Sequence, residues 1–250
     1  MSPILVALIV FGCTFGGAIA GMMLHRKLPD QHRDSESKEV VKLVMGLIAT
    51  IAALVLGLLI AAGHSSYDKQ ASEVQRLGVQ IVQLDRLLAH YGSDAGEARK
   101  LLRQITAAEL NRIWPNYAAS VESAPERAAG EDLAEDIAKF APTTNVQQFV
   151  KSRALQLLTQ MGETRGLLYE QSSDSISWPF LVVLVSWVVA LFVGFGLLAR
   201  YNATVVTALF VGAFTVAGAI FLILEMNHPY SGLMQISSAP IRHAIAVVGR

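Results

Sequence analysis

Hydrophobic positions fall into four long blocks, residues 4–24, 41–63, 178–199 and 203–224, each 21 to 23 residues long and free of charged residues except for Lys42 at the start of the second. A bilayer core of roughly 30 Å, crossed at about 1.5 Å per residue, takes ~20 residues of helix. The pattern therefore predicts an all-α membrane protein. Residues 1–63 form a first transmembrane helix pair, 64–177 an extramembrane helical domain inserted between the second and third spans, 178–224 a second pair, and 225–250 a C-terminal tail.

Within residues 64–177 the pattern changes from solid blocks to helical periodicity. No proline and no turn cluster interrupts the chain between Gly63 and Gly92-Ser93, so the second span is expected to run on as one helix. Its continuation carries Val74, Leu77, Ile81, Leu84, Leu88 and Tyr91 at 3-4-3-4-3 spacing, the a/d seam of a coiled coil. Each such leucine or isoleucine contributes ~1.5 to 3 kcal/mol when buried, so the seam needs a partner. The helix predicted over 146–171, with Val150, Ala154, Leu157, Met161 and Leu168 on one side, is the antiparallel candidate. A shorter helix over 95–113 carries Leu101, Leu102, Ile105 and Leu110 and stops at Trp114-Pro115, because the residue before a proline is pushed out of the helical region. Residues 128–140 read as an amphipathic helix. The acids of 122–136 form either a solvated face or a rim that attracts cations.

Small residues mark two of the spans. Gly12 with Gly16 and Gly17 with Gly21 form two overlapping G-x-x-x-G pairs, which let another helix backbone approach closely in lipid, within a protomer or between protomers. In the second span Gly46, Thr50, Ala53, Gly57 and Ala61 follow one stripe, beside Leu47, Ile51, Leu54 and Leu58. That stripe either packs against a neighbouring helix or faces a narrow axial path in an oligomer. Trp178, Tyr201 and Tyr230 sit at block ends, as an aromatic belt would place them. After the fourth block, Glu225, Pro229 and Gly232 mark an interfacial turn. Arg242, in the short closing helix that follows, is a candidate partner for Glu225.

Charge then refines the picture. Lys and Arg number 20 and Asp and Glu 20, giving zero net charge, which removes the basic footprint that nucleic-acid binding requires. Residues 64–177 hold fifteen acids against twelve Lys and Arg, so that stretch is slightly acidic. Pro29 breaks the first connection, and Arg200-Tyr201-Asn202 is short enough to force an antiparallel hairpin. Both connections then lie on one membrane face with six flanking cations (Arg26, Lys27, Arg33, Lys38, Lys42 and Arg200), against four on the other (Lys69, Arg76, Arg165 and Arg242). The positive-inside rule places the connections in the cytoplasm and the central domain outside a bacterial inner membrane. Ala18-Ile19-Ala20 has the form of a signal cleavage site, but Met1-Ser2-Pro3 lacks a positive n-region and the apolar block continues past it. The first block is therefore expected to remain as a span.

No catalytic constellation emerges. The six histidines are scattered without helical metal spacing, the single Cys13 supports neither a disulfide nor a cysteine zinc site, and no nucleotide fingerprint or nucleophile elbow is present. No ionisable side chain lies at mid-membrane, where proton-coupled carriers need one. The expectation is a protein that is not an enzyme, with no cofactor and no metal.

Several segments resemble a known group: Phe15-Gly16-Gly17, Val41-Lys42-Leu43 leading to Gly46-Leu47-Ile48-Ala49-Thr50, Leu84-Asp85-Arg86-Leu87-Leu88 with His90-Tyr91-Gly92, and Leu224-Glu225-Met226 with Pro229-Tyr230-Ser231-Gly232. Together they are similar to the bacterial bestrophin-like domain family, over almost the whole chain. The resemblance implies two helix pairs flanking an extramembrane helical domain, subunits in a ring, a second helix lining an anion pore, and a central domain in the cytoplasm. The last point opposes the flanking-cation count. In place of the bulky rings of bestrophin pore helices, residues 41–63 contain no aromatic side chain. The reading that results is an oligomeric ion channel for inorganic anions, embedded in the lipid bilayer and partnered by copies of itself. The alternative is a non-conducting membrane scaffold or envelope sensor that binds a partner through its extramembrane helices.

Overall fold

A computed structural model describes residues 2–27, 35–114, 129–173, 178–199, 201–230 and 232–249. Pro29, Arg33, Arg127, Arg200, Ser231 and the acids of residues 122–128 lie outside the described residues. Among the described residues the chain is helical without strands: α1 (Pro3–Lys27), α2 (Ser35–Tyr91), α3 (Gly96–Ile113), α4 (Ala129–Ala138), α5 (Asn145–Ser173), α6 (Trp178–Leu198), α7 (Ala203–Met226) and α8 (Ala239–Val247). Helices α1, α2, α6 and α7 are each long and apolar enough to cross a membrane.

Helix ends follow local chemistry. Helix α2 runs 57 residues without a break and stops where Gly92 adopts φ 122°, a left-handed conformation that a side chain would strain. A single 3₁₀ turn, Ser93–Ala95, leads into α3. Helix α3 ends at Trp114, which leaves the helical region (φ −124°, ψ 78°) before Pro115 while its N–H still bonds the Leu110 carbonyl at 2.9 Å.

The chain divides into two compact units, Met1–Ser66 with Ser175–Asn227, and Tyr67–Asp174 with His228–Arg250. The first holds α1, α6, α7 and the early part of α2. Its tightest seam is between α1 and α6: a Cβ on Gly21 would overlap the Val193 carbonyl, and one on Gly196 would overlap the Ala18 carbonyl. Backbones therefore touch, and only glycine permits it. Phe11, Phe15 and Phe210 cluster with centroids 5.3 to 5.9 Å apart, joining α1 to α7. Where α1 ends, His25 donates through Nδ1 to the Leu197 carbonyl at 2.7 Å, and the Arg26 guanidinium sits 5.1 Å over the Tyr201 ring.

The second unit has one continuous core. The α2 seam Val74, Leu77, Ile81, Leu84, Leu88 and Tyr91 is buried, as are Val150, Ala154, Leu157, Met161 and Leu168 of α5, and both rows belong to one cluster. Gln147, near the start of α5, donates to the Tyr91 carbonyl at the end of α2 (3.2 Å), and Tyr91 stacks on Phe140 at 4.5 Å. The C-terminal segment, expected as a tail, is part of this core. It inserts Ile236, Ile241, Ala244, Ile245 and Val248, Trp114 Nε1–H donates to the Ile236 carbonyl at 3.0 Å, and Pro240 lies against Gly78. A helix of nine residues is too short to be stable alone, and these contacts are what hold α8.

Candidate functional site

The early part of α2 presents two different surfaces. Val41, Met45, Ile48, Ala52, Leu59 and Gly63 are buried or half-buried and belong to contacts with the other helices of their unit, Met45 against Gly194 of α6 and Gly63 against Met226 of α7. At 3.6 residues per turn, or roughly 100° per residue, those six positions and the half-buried Ala49, Val55 and Leu56 fall within an arc of about 120°. Gly46, Thr50, Ala53, Gly57 and Ala61 fall on an arc centred about 140° away, nearly opposite. All five are exposed, and no neighbouring side chain or helix lies within 4 Å of where a Cβ on Gly46 or Gly57 would sit. Among the described residues of its unit, the stripe therefore does not face a neighbouring helix. Leu47, Leu54 and Leu58, 62%, 66% and 62% exposed, stand on the flank beside it with Ile51.

The chemistry of the stripe is that of a smooth, nearly uncharged wall. From residue 43 to 63 no side chain is titratable, and the one polar group, the Thr50 hydroxyl, donates back to the Gly46 carbonyl at 2.9 Å, leaving its oxygen lone pairs outward. The nearest acidic groups on the same helix are Glu39 and Asp68, at exposed positions just beyond the two ends of the block, while Glu225, 3% exposed, is buried on the last turn of α7.

The other sequence-derived candidates separate by position. A Cβ on Gly17 would sit 3.2 Å from the Val193 side chain and 3.3 Å from that of Val189, tighter than ordinary contact, and one on Gly21 would overlap the α6 backbone, whereas at Gly12 and Gly16 it would meet nothing within 4 Å. Two pairs with the same spacing thus have different surroundings. Pro229 and Gly232 share one turn, closed by the Ile236 N–H on the Pro229 carbonyl at 2.7 Å, with Gly232 at φ 94°. Among the described residues no three His, Cys, Asp or Glu side chains are arranged to hold a metal ion.

One polar element of the second unit was not anticipated as a contact. Asp85 is buried one residue beyond Leu84, and its carboxylate accepts Arg99 Nε at 2.7 Å and Nη2 at 3.0 Å and the Gly249 N–H at 3.3 Å. The only sequence signal was a charged residue flanking two seam leucines. The carboxylate raises the Arg99 pKa above its ordinary value, chiefly through this hydrogen bond, against the opposing cost of burial.

An all-helical chain with four apolar helices of membrane length, a second helix that leaves one long face bare, and a separate helical unit defines a helical membrane protein. The chain belongs to the bestrophin-like family, whose domain matches residues 12–241. Its fold is similar to crystal structures of single-site variants of a bacterial bestrophin homologue from Klebsiella pneumoniae. Two of these share 10% identity over 96% of both chains, with TM-scores of 0.69 and 0.68. Another similar structure is of a protein described only as a membrane protein, at 11% identity over 98% of this chain and 97% of that one, TM-score 0.67. At such identities the likeness establishes the fold. No curated protein matches the chain in sequence.

Proposed function

We propose that several copies of this chain assemble in a membrane as an ion channel for anions, with α1, α2, α6 and α7 as spans and the α2 stripe along the axis. The observation that carries this reading is the direction of the stripe: Gly46, Thr50, Ala53, Gly57 and Ala61 are exposed and face away from the described helices packed against α2 in their unit. In a ring, the Leu47, Ile51, Leu54 and Leu58 flank, about 90° round the helix from the stripe at 3.6 residues per turn, supplies the contact with the neighbouring copy. Small side chains then leave room at the axis. An uncharged wall of this kind conducts when wet and closes by dewetting, without a fixed charge in the bilayer. The anion preference rests on the bestrophin-like family membership.

Liposome reconstitution tests the proposal. Purified protein should carry chloride or iodide down a gradient. Gly57→Phe should reduce that flux at least tenfold while leaving the protomer folded, since a Cβ at Gly57 meets nothing within 4 Å. An intact reconstituted oligomer that passes no ion under any gradient or potential sinks the channel reading. Co-purification of a protein partner on the extramembrane helices would then favour the scaffold or sensor.

A further inference from the structure

The unit built from Tyr67–Asp174 and His228–Arg250 contains a cavity of about 430 Å³ that a channel has no evident use for. Its volume lies in the ~300 to 1,000 Å³ range of small-molecule sites. Helices α2, α3, α4, α5 and α8 all contribute walls, and the lining is mainly apolar, with Leu77, Leu102, Leu133 and Met161 among its side chains. Ile105, Ile113, Leu155 and Leu158 also line it and are only partly buried, so apolar surface within a packed unit stays open to water. An apolar occupant would remove that surface from water.

One edge of the cavity is charged and ordered. The Glu109 side chain is 15% exposed and uses both oxygens, Oε1 on Arg112 Nη2 at 2.5 Å and Oε2 on Arg165 Nη2 at 2.8 Å. Two guanidinium groups thus converge on one carboxylate. Arg165 makes no other hydrogen bond to a described residue, so most of its five N–H donors remain unspent while Glu109 holds the group in place. Its Nη1 lies 3.7 Å from where a Cβ on Gly130 would be, and that glycine leaves the approach clear. Glu131, at an exposed position of α4, completes the rim.

We propose that this cavity binds a small amphiphile with a carboxylate head: the hydrocarbon body lies among the leucines, and the carboxylate takes the Arg165 fork. A planar guanidinium with spare parallel donors matches a carboxylate in two-point geometry. An apolar chamber adjoining it selects against small hydrophilic anions, which would leave the chamber wet.

The chain has three tryptophans, and Trp114 lines the cavity. In the full-length protein with Trp178→Phe and Trp187→Phe, held in nanodiscs, a dansylated undecanoate should show saturable energy transfer from Trp114. Arg165→Gln should weaken that carboxylate about tenfold or more, the scale of a charge-assisted hydrogen bond, while leaving the corresponding amide unaffected. Glu109 keeps Arg112 in this variant and is not left unpaired. Gly162→Phe should abolish transfer for both probes, because Gly162 lines the cavity and a Cβ there meets nothing within 4 Å, so the ring enters without displacing the backbone. The proposal is overturned by absence of saturable transfer, by transfer that survives Gly162→Phe, or by acid and amide binding alike. Tighter binding of a dodecyl phosphate than of the carboxylate would overturn the head-group assignment.

Discussion

Replacing Asp85 by alanine should loosen three segments at once, because one buried carboxylate holds α2, α3 and the C-terminal end of the chain. The Asp85 side chain is 6% exposed and that of Arg99 21%. Removing one member of a buried ion pair costs ~3 to 5 kcal/mol when the other charge stays buried. Arg99 is long and one-fifth exposed, so its guanidinium can turn toward water, which lowers the cost to roughly 2 kcal/mol. The lost hydrogen bond from the Gly249 N–H adds about 1 kcal/mol. The sum of about 3 kcal/mol corresponds to a fall in Tm of roughly 6 to 12 °C for a chain of this size. Thermal unfolding of the purified protein, read for Asp85→Ala, Arg99→Ala and the double variant, gives the coupling directly. The double variant should cost less than the sum of the two single variants, leaving a coupling energy of roughly 2 kcal/mol. Additive single effects, with coupling below about 0.5 kcal/mol, would refute the idea that the pair acts as one unit.

Other outcomes follow from the same contacts. Gly21→Ala and Gly196→Ala should each destabilise the protomer by ~1 to 3 kcal/mol, as overpacking does, while Gly12→Ala and Gly16→Ala leave protomer melting unchanged; equal effects at all four positions would contradict the α1–α6 assignment. Burial pushes the Tyr230 hydroxyl up to about 12 from the ordinary 10.0. The folded chain therefore keeps this proton at a pH where the unfolded chain has lost it. The associated stability is complete below pH 10 and disappears as pH rises toward 12, so a late tyrosinate absorbance step near pH 12, absent in Tyr230→Phe, is the expected signature. A cysteine at Glu97, whose side chain is 84% exposed, in a Cys13→Ser background decides orientation in intact cells. The flanking-cation count predicts labelling by an impermeant reagent, and its absence would favour the cytoplasmic placement implied by the bestrophin resemblance.

Much of the architecture was legible because its signals are local. A block of twenty-odd apolar residues needs no knowledge of the rest of the chain to be read as a long helix, and the seam from Val74 to Tyr91 shows its period within a single element. The positive φ at Gly92 and the stop at Trp114-Pro115 are likewise properties of two or three adjacent residues.

The direction in which each surface points was not local, and only the tertiary structure decided it. Gly12-x-x-x-Gly16 and Gly17-x-x-x-Gly21 are the same motif; at roughly 100° per residue they lie about 140° apart on α1, and the position of Gly196 on α6 selects the second. The α2 stripe left packing and an axial path open as alternatives in the sequence, and the neighbours of Met45 and Gly63 showed which side of the helix is already occupied. Asp85 and Arg99 are fourteen residues apart, and Gly249 is 164 residues from Asp85, separations at which no periodicity relates one residue to another. The sequence by itself determined which segments are helices and which of their faces are apolar. Packing determined which apolar and small faces are consumed inside the protomer and which remain exposed, because that depends on the relative rotation of helices and not on the order of residues within one.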